Sequence, residues 1–282
     1  MARFAIKTPT HHTTWEKLLE VWRAADAHPT FESAWNFDHF YPIHGDTDGP
    51  CLEGWVTLSA LAQATERIRV GTMVTGIHFR HPAVTASMAS SLDIVSGGRL
   101  ELGLGAGWYE LETEAYGIDL GTVGERMTRF EEGTDVIHSL LTQEHTDFDG
   151  DFFHLRQARN EPKPVQRPRP PIVIGGRGEK RTLRLVAKYA SMWDALFVEE
   201  EIDEWKRLRE VLWQHCRDVG RDPEQISCSA HLSLPPDPDF AEVARRAERH
   251  FEAGLDVVML GLGAAHDAST IESLAAVLES RN

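Results

Sequence analysis

The segment Pro82–Glu110 constrains the fold more than any other. Pro82 stands where a first helical turn tolerates it, and Ala83, Val84, Ala86, Met88, Ala89, Leu92 and Val95 follow near helical spacing. The turn Ser96-Gly97-Gly98 leads back into Arg99–Glu110, RLELGLGAGWYE, a strand whose end loosens into glycines. Gly103, Gly105 and Gly107 alternate, so a strand places all three on one face. That bare face admits another backbone, a packed helix or a flat ligand. A dinucleotide fingerprint is excluded, because GxGxxG needs glycine at position 108, which is Trp108, and no acidic residue follows at the usual distance. What remains is a helix–turn–strand unit.

The unit recurs. Strands are predicted at Phe4–Lys7, Phe31–Phe37, Arg67–Thr75, the start of Arg99–Glu110, Ile172–Ile174, Met192–Phe197, Ile226–Leu232 and Leu255–Leu260. Helices are predicted at Trp15–Ala27, near Glu53–Thr65, at Pro82–Val95 and Gly121–Leu141, near Arg181–Tyr189, and at Ile202–Val219, Phe240–Ala253 and Ala268–Leu278. The rhythm breaks once, at about 142–170, where Phe148–Leu155 carries the Asp-Gly chemistry of a hairpin and five prolines make an extended connector. In 282 residues this predicts one α/β domain over 1–282, a (β/α)8 TIM barrel with an insertion between its fourth and fifth units. A doubly wound open sheet has the same local pattern and stands as the alternative.

A formal charge of −15 argues against nucleic acid as a partner, since phosphate neutralisation needs basic surface. Three unevenly spaced cysteines, no signal-peptide core and no long apolar run point to a cytoplasmic protein without membrane attachment. No metal is expected, because His11-His12 and His78-x-x-His81 lack companion ligands at convincing spacing. In a barrel, function sits at the carboxyl ends of the strands. The second ends in Asp38-His39, where His39 is either a general acid/base or a hydrogen-bonded rim residue. The third ends in Met73-Val74-Thr75, suited to backing a flat ring or to filling the barrel. The fourth gives Ala106, Gly107, Trp108 and Tyr109. The fifth gives Gly175, Gly176 and Arg177, opening a helix with Lys180, Arg181, Arg184 and Lys188, which reads as a phosphate site.

Together these strand ends resemble the luciferase-like monooxygenase superfamily, and within it the coenzyme F420-dependent oxidoreductases. The likeness is carried by SAWNFDHFYPI at 33–43, by the long run at 53–118 and by PPIVIGGRGEKRTLRLVAKYASMWDALF at 170–197. It implies a barrel holding a deazaflavin or flavin at its carboxyl end. By that resemblance His39 lies near the reactive face of the ring, beside Asp38, as the catalytic candidate. Met73 and Val74, before Thr75, match a bulge with a non-prolyl cis bond behind the ring. Ala106, Gly107, Trp108 and Tyr109 match the loop along the cofactor chain, and Gly175 and Gly176, with Arg177, its phosphate site. Arg80 joins the basic residues as a partner for an anionic tail.

The activity so implied is hydride transfer between F420 and a small organic substrate. An FMN-dependent monooxygenase and a non-catalytic flavin-binding barrel are the alternatives. Trp108 and Ile43 replace a glutamate and an aromatic of the sugar-phosphate-oxidising branch, which points away from that substrate. The resemblance also makes a homodimer an expectation.

Overall fold

The computed structural model describes residues 3–195 and 201–279. It begins with strand β1 (Arg3–Lys7), helix α1 (Trp15–Ala27), strand β2 (Phe31–Asn36) and helix α2 (Gly54–Ala64). Strands β3 (Arg69–Thr72) and β4 (Thr75–Gly76) precede helix α3 (Pro82–Val95), strand β5 (Leu100–Gly105) and helices α4 (Glu110–Tyr116) and α5 (Val123–Thr142). After the hairpin β6 (Thr146–Asp149) and β7 (His154–Ala158) come β8 (Ile172–Gly175), α6 (Thr182–Tyr189) and β9 (Met192–Asp194). Helix α7 (Ile202–Val219), β10 (Ser227–Ser233), α8 (Phe240–Glu252), β11 (Val257–Gly261) and α9 (Ala268–Glu279) complete it.

Several helices start where side chains satisfy their free N–H groups. Thr14 accepts from Lys17 N and Glu53 from Val56 N, while Thr122 and Glu125 cap α5 reciprocally. All barrel pairings are parallel, in the order β3-β2-β1-β11-β10-β9-β8-β5-β4, and β3 also pairs with β5. That last pairing closes the sheet on itself. With β3 and β4 sharing one wall position, this is the eight-position TIM barrel, and the open-sheet alternative is excluded. Apolar residues between strands and helices form one core. A second, including Ala5, Trp35, Met73, Val173, Met192 and Met259, fills the barrel interior. No described helix is long and apolar enough to cross a membrane.

Three expectations change. The third strand is not continuous over Arg67–Thr75: it breaks at Met73–Val74, which are joined by a cis peptide bond. Residues 110–116 form an unexpected helix, too short to show an amphipathic period. The sixth barrel strand is seen at Met192–Asp194, and the predicted extension through Leu196 and Phe197 lies outside the described residues.

Candidate active site

The glycine stripe of β5 faces the break in the neighbouring strand. A Cβ on Gly103 would stand 1.9 Å from the Thr72 carbonyl oxygen, and one on Gly105 would stand 2.5 Å from Val74 Cγ2. The Thr72 backbone and the Val74 side chain have therefore taken the room that the two glycines leave. The approach lets Met73–Val74 bulge inward as an apolar wall, with Gly175 of β8 against Val74 as well. Thr75 is fully buried behind this wall, where its hydroxyl meets Thr72 at 2.7 Å and accepts from the Trp55 indole at 3.0 Å. It does not line the cavity.

In front of the wall lies a cavity of about 500 Å³ at the carboxyl ends of the strands. It is lined by Met73, Val74, Ala106 and Gly107 along one side, and by His39, Trp108 and Tyr109 toward the rim. Trp108 is 56% exposed, and its ring meets that of His39 edge-on at 5.7 Å. Tyr109 donates its hydroxyl to the Pro42 carbonyl at 3.0 Å, which fixes it beside His39. His78, packed under Gly107, also lines the cavity; among the described residues neither of its ring nitrogens has a hydrogen-bond partner, and burial pushes its pKa down to about 4. It is a neutral ring at the cavity wall.

His39 is held by a residue that sequence reasoning missed. Its Nδ1 lies 2.5 Å from Glu112 Oε1, and Oε2 of the same carboxylate accepts the N–H groups of Phe40 at 2.8 Å and Tyr41 at 3.2 Å. Glu112 projects from the first turn of α4 and is fully buried. A carboxylate only accepts, so Nδ1 donates to it and Nε2 is the ring nitrogen left to the cavity. The neighbouring Asp38 also lines the cavity, but its charge is already answered. Its buried carboxylate takes a bidentate pair from Arg80 at 2.7 and 3.0 Å, and Arg80 reaches Glu53 at 2.6 Å. Arg80 is thus committed to carboxylates.

The floor carries a second group without a sequence signal. Lys7 Nζ lies 2.6 Å from His231 Nδ1, and His231 Nε2 lies 3.0 Å from Asp194 Oδ1. Burial outweighs the attraction of Asp194 and lowers the Lys7 pKa to about 8. Burial pushes Asp194 up, but His231, Lys7 and Ser229 together hold it below the ordinary carboxylate range. These three side chains come from β1, β9 and β10, too far apart in sequence for any spacing to reveal them.

Gly175, Gly176 and Thr182 also line the cavity, at the start of α6. Of the positive charge expected there, only Lys180 has no ion pair among the described residues. Arg177 is paired with Glu201 at 2.6 Å, Arg181 and Arg184 with Glu131, and Lys188 with Asp135 at 3.1 Å. Acidic residues of α5 answer the basic face of α6. Arg177 turns to Glu201 and the Ala195 carbonyl and is not among the residues lining the cavity.

The sequence model of the family described as luciferase-like monooxygenase matches residues 1–280. An uncharacterized protein of Mycobacterium tuberculosis is 32% identical over 249 residues, 84% of this chain and 82% of its own. The F420-dependent hydroxymycolic acid dehydrogenase of the same organism is 31% identical over 226 residues, covering 79% of this chain and 60% of that one. Among solved structures, an F420-dependent secondary alcohol dehydrogenase in complex with an F420-acetone adduct superposes with a TM-score of 0.87 at 20% identity. That match covers 100% of this chain and 99% of the other.

Proposed function

The chain belongs to the luciferase-like monooxygenase family, and on that premise we propose that it is an F420-dependent oxidoreductase transferring a hydride to or from a small organic substrate. The observation that carries this reading is His39, clamped by Glu112 at Nδ1 and open at Nε2, facing a cavity walled by the Met73–Val74 bulge. The cavity fits a planar ring: its volume falls in the range of about 300–1,000 Å³ usual for small-molecule sites, and one wall is apolar and free of side-chain charge. Met73 and Val74 would back the ring, while Ala106, Gly107, Trp108 and Tyr109 would follow its side chain. Gly175, Gly176 and Thr182 would hold a phosphate at the start of α6.

When bound, the deazaflavin supplies the hydride chemistry; the protein supplies position and a proton route. His39 Nε2 would hold or release the proton that accompanies interconversion of a carbonyl and a carbinol. Trp108 and Tyr109 would screen it from bulk water.

One observation favours a second reading, an FMN-dependent monooxygenase. Arg80, Arg177, Arg181 and Arg184 are engaged by carboxylates, so they do not offer a ready cradle for a polyanionic cofactor tail. Titration of cofactor-free protein with F420 and FMN in parallel, followed by fluorescence, separates the two. The proposal expects tighter binding of F420; tighter binding of FMN overturns it in favour of the monooxygenase.

A further inference from the structure

We infer that Lys7, backed by His231 and Asp194, is the electrostatic partner of the negative charge that a flavin-type ring gains on reduction, so that the cavity binds the reduced ring in preference to the oxidised one. The inference rests on the functional reading above and adds a role for residues that reading leaves unused. Lys7 ends β1 and lines the cavity beside Asp194, the last residue of β9. An ammonium only donates, so His231 Nδ1 accepts from it and a neutral ring keeps its proton on Nε2, which lies 3.0 Å from Asp194 Oδ1 without hydrogen-bond geometry. Asp194 is fixed in turn by the Ser229 hydroxyl at 3.1 Å. The array therefore aims one ammonium from a buried, tethered position.

The ammonium has donors to spare. Among the described residues His231 is its only side-chain hydrogen-bond partner, and the Phe37 ring lies 5.1 Å away. The other carboxylates at the cavity are spent, Asp38 on Arg80 and Glu112 on His39 with two backbone N–H groups. Lys7 is the one lysine or arginine among the described residues lining the cavity. Its lowered pKa of about 8 still leaves it largely protonated at neutral pH.

A hydride carries two electrons and one proton, so a ring that accepts it gains one negative charge. That charge would face Lys7 across the cavity. At an effective dielectric near 20, a unit charge within several ångströms changes such an equilibrium about tenfold or more. Topology adds a constraint: β10 lies across the closed barrel from β3, so a ring resting on the Met73–Val74 wall has the His231 strand opposite it.

The test is anaerobic binding at pH 7 of oxidised and reduced F420, with FMN in parallel, to the wild type, Lys7→Met, Lys7→Gln and Lys7→Arg. The readout is the ratio of reduced to oxidised affinity, with circular dichroism reporting the fold. Lys7→Met and Lys7→Gln are expected to lower that ratio about tenfold and Lys7→Arg to preserve it. A ratio unchanged in Lys7→Met, or lowered as far by Lys7→Arg, overturns the inference. Should Lys7→Met fail to fold, Lys7→Gln, which keeps a polar head without the charge, decides. A wild type that binds neither ring overturns the functional reading and this inference together. A wild type that binds a ring with a ratio indifferent to the charge at Lys7 overturns the inference alone.

Discussion

His39 Nδ1 and Glu112 Oε1 lie 2.5 Å apart, and Oε2 of the same carboxylate gathers the backbone of Phe40 and Tyr41. One buried side chain thus orients the imidazole and the loop that carries it. Glu112→Gln offers an amide where the ring needs an acceptor, which reverses the tautomer and protonates Nε2. Turnover is expected to fall about 10- to 100-fold, with cofactor affinity nearly unchanged and an altered pH profile. His39→Ala should cost at least as much, and the double variant little more. Wild-type turnover in either single variant contradicts the role.

The meeting of Gly103 with the Thr72 carbonyl makes a stability prediction. Gly103→Ala forces a Cβ to within 1.9 Å of a backbone oxygen that cannot swing aside. A loss of about 3 kcal/mol or more is expected in chemical denaturation. Gly124→Ala, in the first turn of α5 with only the Thr122 hydroxyl near, should be neutral or stabilising by up to about 1 kcal/mol. Equal effects would contradict close packing as the reason for the glycine stripe.

These two cases show where the sequence was legible. Local signals placed α1 at Trp15–Ala27 and α3 at Pro82–Val95 to the residue, because cap, proline and apolar period agree there. The glycine alternation announced a close approach at β5 but not its partner, since only the closed barrel brings Thr72 and Val74 onto it. Glu112 was illegible for a different reason. Its helix is seven residues long, and its partner lies 73 residues away. The basic face of α6 was visible, whereas its neutralisation by Glu131 and Asp135 depends on helix packing across about fifty residues.

Acid should destabilise the fold over a defined window. Burial, the largest cause, lowers His11 and His78 from 6.5 to about 4, so both stay neutral in the native state. The unfolded chain then binds about two more protons near pH 5. Stability is therefore full above about pH 6.5 and is lost as pH falls toward 4, seen as a declining melting temperature. A flat profile between those values would contradict neutral burial of the two rings.

The paired cations make a prediction about binding. Arg181→Ala breaks a partly exposed pair with Glu131 and should cost about 1 kcal/mol of stability. It should alter cofactor affinity less than about twofold. Gly176→Val, which strains a backbone at φ +121° and adds bulk beside Thr182 at the cavity edge, should weaken binding about tenfold. The reverse order would return Arg181 to the phosphate site.

The most direct test of the account is a single turnover. Protein loaded with reduced F420 is mixed with a panel of small carbonyl compounds, and recovery of the oxidised absorbance is followed with and without oxygen. The account predicts recovery that requires one of the carbonyl compounds, proceeds without oxygen and slows in His39→Ala. Recovery that requires oxygen and ignores the carbonyl compounds would contradict hydride transfer and make the protein an oxygen-using enzyme.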